Sequence, residues 1–200
     1  MGELATADAQ ELVRAQLEES VRVKQLLAVE AVDDIVSAAR LISGALRSGG
    51  KVLLCGNGGS AADAQHIAAE LVSRFRRERP ALPAIALSTD TSILTAIAND
   101  YSFDRVFARQ VEALGQAGDV LIAITTSGHS ANVLRAVEAA RRRGVTTIGL
   151  TGSTGGKLAA LVDLCLRMPS TETPRVQEAH ICVAHIICDL VEGESLADGG

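Results

Sequence analysis

His66 and Glu70 stand four residues apart in the stretch CGNGGSAADAQHIAAE (55–70), so on a helix both project from one face. An imidazole and a carboxylate so placed can move protons or hold a divalent cation; the same spacing also suits an ordinary surface hydrogen bond. Just upstream lies the turn GNGGS (56–60), and a second turn of similar make-up, TTSGHS, occupies 125–130. Glycines let backbone approach a ligand closely, and free amides at a helix start favour an anion. The hydroxyls of Ser60, Thr125, Thr126, Ser127 and Ser130 add neutral donors. Neither turn carries Lys or Arg, which argues against a Walker loop, and GNGGS lacks the GxGxxG spacing, so no nucleotide cofactor is expected. Two such turns point to a small phosphorylated ligand.

A second group of reactive types lies in QEAHICVAH (177–185), within an otherwise apolar helical stretch. Gln177 and His185 are eight residues apart, about 12 Å along a helix axis. They reach one metal only by converging at full extension; otherwise they act from different chains at a subunit interface. His180 points elsewhere and reads as structural. Asn99-Asp100 suits either a turn cap or contacts to sugar hydroxyls. The basic runs RFRRER (74–79) and RRRG (141–144) read as solvated faces near helix ends, with Arg74 one turn past Glu70 and in reach of an anion.

The elements that must position these groups follow from periodicity. Leu12, Leu17, Val21, Leu26, Leu27 and Val29, then Ile35, Ala38, Ala39, Ile42 and Leu46, recur at helical spacing, with Asp33-Asp34 as the break and Gly49-Gly50 as the stop. This hairpin serves either oligomerisation or packing on its own domain. Five short apolar runs predict strands: KVLLC (51–55), AIAL (84–87), DVLIAI (119–124), TTIGL (146–150) and VDLCL (162–166). Helices are expected over 60–73, 91–113, 130–143 and briefly 156–161, with a last one from Thr173, as cap before Pro174, to about Glu192. Strand and crossover helix in alternation predict an open parallel sheet with helices on both faces, and ligands beyond the strands' carboxyl ends. The chain reads as one domain over 1–200: a hairpin over 1–50, an αβα core over 51–193, and a frayed, disordered tail over 194–200.

Composition narrows the function classes. The chain has 200 residues, no Trp, one Tyr and three Phe, so its core is built from Ala, Leu, Ile and Val, and stacked-base recognition is disfavoured. A net charge of −5 gives no attraction to nucleic acid or anionic membranes. Cys55, Cys165, Cys182 and Cys188 lie in apolar segments without CxxC spacing, as reduced core cysteines do. With no signal-peptide pattern and no membrane span, a cytoplasmic location is expected.

Taken together, CGNGGSAADAQHIAAE, AIAND (96–100), GDVLIAITTSGHSANVLRA (118–136) and RVQEAHICVAHIICDLVE (175–192) resemble the sugar isomerase, or SIS, domain family, and within it the phosphoheptose isomerases. The resemblance covers about residues 10–193. It implies a three-layer αβα sandwich with a five-stranded parallel sheet, and a homotetramer with active sites at subunit interfaces. It also implies ketose–aldose isomerisation of a phosphorylated seven-carbon sugar through an enediolate, for heptose and lipopolysaccharide-type synthesis. Phosphate contacts would fall on Ser60, Thr125, Thr126 and Ser130. Sugar contacts would fall on Asn57, Gly58, Gly59, Asn99, Asp100, Ser127 and Gln177, with Glu70 also touching substrate. Glu70 and His185 would be the acid/base pair, and one zinc per subunit would be held by His66, Glu70, Gln177 and His185. Thr125 stands where Ser is common, and His129 where Asn is usual. The stretch RERPALPAIALSTDTSILTAIANDYSFD (77–104) looks closer to a non-enzymatic branch that binds the replication initiator DnaA; the residues of the chemistry, which that branch replaces, are present here. Isomerisation of another ketose phosphate is the remaining alternative.

Overall fold

A computed structural model describes residues 6–197. The strands are β1 (Val52–Gly56), β2 (Ala84–Ala86), β3 (Val120–Ile124), β4 (Thr146–Thr151) and β5 (Leu164–Arg167). All four pairings are parallel, in the order β2-β1-β3-β4-β5. The helices are α1 (Thr6–Glu30), α2 (Val32–Arg47), α3 (Gly59–Val72), α4 (Thr91–Asp100), α5 (Val106–Leu114), α6 (Ala131–Arg142) and α7 (Thr173–Ala197).

Side chains alternate across a strand, and here both faces are apolar and covered. Val52 and Leu54 join a core shared with α2, α3, α7 and part of α1; Leu53 and Cys55 join a second core under α5 and α6. This is the expected three-layer αβα sandwich. Chain order reverses between β1 and β3, so a crevice opens at their carboxyl ends, where the two glycine-bearing turns emerge.

Several boundaries differ from the sequence reading. The helix expected over 91–113 is two, because Ser102 is extended (φ −173°, ψ 160°) and a single 3-10 turn, Phe103–Arg105, leads into α5. The first two helices part at Ala31, and Asp33 and Asp34 sit in the first turn of α2, where carboxylates complement the positive end of the helix dipole. β5 starts two residues late: Asp163 is held in the preceding turn, accepting from the Thr147 N–H and hydroxyl at 2.7 Å each. α7 runs on to Ala197, so the first half of the expected tail is helical; residues 198–200 lie outside the described residues. The N-terminal hairpin does bury Val23, Leu27, Ile35 and Ile42, yet leaves Leu12, Leu17, Val21 and Val29 more than half exposed. Among the described residues no helix is long and apolar enough to cross a membrane. All four cysteines are free; burial pushes the Cys55 and Cys188 thiols up to about 12, with Glu70 adding to the effect at Cys188.

Candidate active site

The β1–α3 turn is shaped by Gly58, whose φ of 56° with ψ of −121° suits glycine alone. Its carbonyl receives the amides of Ala61 and Ala62, and that of Asn57 receives Ser60 N–H, so the alanine-rich helix starts at once. In the β3–α6 turn, the Thr125 and Ser130 hydroxyls lie 3.0 Å apart, and Ser127 Oγ accepts from His129 N–H at 3.2 Å. Asn57 and Asn132 join the two turns by reciprocal amide bonds of 2.8 Å each. Asn132 is buried and was missed in the sequence. Its signal was an amide on the apolar face of a helix, one turn from the hydroxyl run. Gly128 packs so closely on the backbone of Gly155 and Gly156 that a side chain has no room, and Gly152 N–H donates to Thr126 O; the loop after β4 thereby backs the second turn.

Two helical turns along α3, His66 and Glu70 do pair: His66 Nε2 lies 3.0 Å from Glu70 Oε1. His185, from α7, completes the set, its Nε2 3.0 Å from His66 Nε2. The ligand-type atoms of all three lie within 4.8 Å of one another, half-buried to exposed. Two imidazole nitrogens and a carboxylate oxygen thus face one another, and in the neutral, metal-ligating state of the rings their lone pairs converge on one spot. Nitrogen and oxygen ligands of a tetrahedral divalent ion at about 2.0–2.1 Å stand about 3.3 Å apart, close to these separations. The set therefore fits a metal ion.

Gln177 is not with the other three expected ligands. Its carboxamide fills the space beside Gly59, where a Cβ would overlap it, so it belongs to the first turn. The reason is helical rise: eight residues of α7 separate Gln177 from His185 by about 12 Å, much as seven residues of α3 separate Gly59 from His66 by about 10 Å. The two helices run alongside, matched end to end. Asn99 and Asp100 are exposed at the end of α4, where Asn99 donates to Asp100 at 2.9 Å, outside the contacts that link the turns. His180 is structural, as expected. It is fully buried, its Nε2 lies 3.2 Å from Thr151 O, and burial pulls its pKa down to about 4 despite that bond.

Fold and site together define a doubly wound α/β protein in which two glycine-bearing turns meet near a cluster of two imidazoles and a carboxylate that fits a metal ion. Residues 17–152 match the SIS domain. A phosphoheptose isomerase of Rhodospirillum rubrum is 61% identical over 158 residues, 79% of this chain and 84% of that protein. One of Thermodesulfovibrio yellowstonii is 52% identical over 185 residues, 92% of each chain. The solved phosphoheptose isomerase GmhA of Neisseria gonorrhoeae superposes with a TM-score of 0.88 at 51% identity, covering 92% of this chain and 99% of that one. That of Francisella tularensis gives 0.90 at 41% identity, covering 92% and 98%. The chain belongs to the SIS domain family and, within it, to the phosphoheptose isomerases.

Proposed function

We propose that this enzyme converts sedoheptulose 7-phosphate to D-glycero-D-manno-heptose 7-phosphate, supplying ADP-heptose for lipopolysaccharide core or a related glycoconjugate. The observation that carries this reading is the crowding of Glu70 and His185, residues 115 positions apart in the chain, two helical turns along α3 from the glycine-bearing β1–α3 turn.

The two joined turns bind the phosphate, through the amides of α3 and α6 and the hydroxyls of Ser60, Thr125, Thr126 and Ser130. Asn57, Gly58, Gly59, Ser127 and Gln177 hold the open-chain sugar, with Asn99 and Asp100 assigned to its hydroxyls. The extended sugar then lies along the groove between α3 and α7, its carbonyl end at the cluster. Interconverting a 2-ketose and an aldose moves one proton between C1 and C2 and one between O1 and O2. Glu70 removes the carbon-bound proton, giving a cis-enediolate, and His185 handles the oxygen-bound proton; the return steps reprotonate the neighbouring carbon. Acid–base catalysis of this kind supplies about 10² to 10⁴-fold. His66, Glu70 and His185 would hold a zinc ion, which when bound polarises the carbonyl oxygen, and the expected fourth ligand, Gln177, would join them only through a shift larger than a side-chain rotation.

The exposed Leu12, Leu17, Val21 and Val29 of α1, with Ile186 and Leu190 of α7, support assembly with further copies as a tetramer. The deciding assay incubates the purified protein with sedoheptulose 7-phosphate and reads the product by NMR, with chelator and with added zinc. An aldoheptose 7-phosphate product is expected, with loss of rate under chelation. No turnover in any metal condition from a folded oligomer would move the reading to the initiator-binding branch.

A further inference from the structure

In the run RFRRER, Arg74, Arg76, Arg77 and Glu78 are exposed as a solvated face requires, but the last arginine departs from it. Arg79 is buried and faces Glu192 of α7, itself fully buried, with Arg79 Nε 3.4 Å from Glu192 Oε1. Glu192 takes no helix-capping role. Its Oε1 accepts from Phe75 N–H at 2.9 Å, and its Oε2 accepts from Arg76 N–H at 2.8 Å and Arg77 N–H at 2.9 Å. Arg79 in turn gathers carbonyls at the end of α3 and just beyond it: Nη2 donates to Glu70 O at 2.8 Å, and Nη1 to Ser73 O at the cap at 3.2 Å and to Pro80 O in the following loop at 3.0 Å. Outside this pair, Asp189 holds Arg76 at 3.1 Å and Arg77 at 2.8 Å.

Both ends of this network meet the reactive cluster. Arg79 grips the backbone of Glu70. Glu192 fixes the backbone of Phe75, whose ring stacks on the His185 imidazole with centroids 5.5 Å apart and planes at 25°. We propose that the buried Glu192–Arg79 pair is a positioning device that sets His185 of α7 against His66 and Glu70 of α3. Taking two charges out of water is costly, and a surface-type turn would leave its three amides to solvent. The molecule instead spends a carboxylate on those amides two turns beyond His185. Partners behind metal-ligating side chains tune affinity by orienting them. The inference deepens the functional reading above and rests on it for the role of the cluster.

The test uses the full chain as wild type, Glu192→Gln, Phe75→Leu and Phe75→Tyr. A Gln at 192 keeps the shape but turns an NH₂ toward backbone N–H donors on one side. Three quantities are read on folded protein: the zinc dissociation constant by competition with a chelating dye, the histidine ring resonances of the metal-free protein at one fixed pH, and the melting temperature. Four histidines make the ring spectrum assignable. Glu192→Gln and Phe75→Leu are both expected to weaken zinc binding about 10-fold or more. Both should also shift the His185 ring protons downfield as the aromatic face leaves them, and Phe75→Tyr should restore both readouts. A folded Glu192→Gln with a lower melting temperature but unchanged zinc affinity and His185 resonances would overturn the proposal. If Glu192→Gln does not fold, Phe75→Leu decides alone, with unchanged affinity and resonances again overturning it. None of these readouts needs turnover, so an inactive wild type would sink the heptose reading without deciding this one.

Discussion

Lowering the pH from 7 to 4.5 in the presence of a chelator titrates two buried groups that act on stability in opposite senses. Burial holds His180 neutral, its pKa pulled from 6.5 down to about 4. The unfolded chain therefore takes up this proton first, and stability is lost as pH falls from about 6.5 toward 4. Asp63, one turn before His66 on α3, is buried with Oδ2 unpartnered, and its pKa is pushed from 3.8 to about 6, His66 opposing weakly. There the folded state takes up the proton first, so stability is gained as pH falls through 6. With those values, His180 removes about 2–3 kcal/mol at pH 4.5 and Asp63 returns about 2 kcal/mol. His180→Gln, which keeps a donor for Thr151 O, should thus resist acid better than wild type by about 2–3 kcal/mol, and Asp63→Asn should resist it less by about 2 kcal/mol. Urea unfolding followed by far-ultraviolet circular dichroism suits the assay, because the chain has no Trp. Comparing each variant with wild type at the two pH values and one protein concentration cancels the other carboxylates. Identical pH dependence in all three proteins would refute the reasoning.

Glu70→Gln and His185→Gln are near-isosteric and should cost about 10² to 10⁴-fold in kcat with an unchanged dichroism spectrum; a wild-type rate in either removes that residue from the chemistry. Ser60→Ala should chiefly raise KM, by about 1.5–3 kcal/mol for one hydrogen bond to an anion, and an unchanged KM moves the phosphate elsewhere. Gly59→Ala should push the flexible Gln177 carboxamide out of the turn, lowering kcat/KM by the same amount as Gln177→Ala should, while barely moving Tm. A large Tm loss would instead mean the backbone has to yield. Asn132→Ala strands the Asn57 amide and should cost about 1–3 kcal/mol of stability together with a higher KM. A higher KM without the stability loss would place Asn132 on the substrate rather than on the turn.

The sheet and the His66–Glu70 contact were legible in the sequence for a plain reason. A strand covered on both faces is a continuous apolar run, and a helical i, i+4 pair is local. What escaped the sequence depends on distance or on a single backbone torsion. The apolar rhythm of 91–113 runs without Gly or Pro across Ser102, so nothing local marks its extended conformation. Arg79 sits in a basic run that suggests solvent, and its partner Glu192 is 113 positions away. The Asn57–Asn132 bridge pairs two amides 75 residues apart, one in the β1–α3 turn and one in the first turn of α6, and nothing local links them. Gln177 and His185 could be assigned to separate places only once α7 was seen to run alongside α3.

α7 contributes no strand, yet it carries His185, Gln177 and Glu192 while packing on α2 and α3. Lifting it away would leave five paired strands and the local His66–Glu70 pair intact, and would remove the second imidazole, the carboxamide at Gly59 and the carboxylate under residues 75–77. Such partial openings cost less than global unfolding and are visible in amide hydrogen exchange. A ligand that needs groups from both α3 and α7 binds only the docked form, so at a hundred times its dissociation constant it slows exchange along α7 by an amount worth about 2.7 kcal/mol. Exchange at the α7 amides thus becomes a gauge of how full the site is, readable without any turnover.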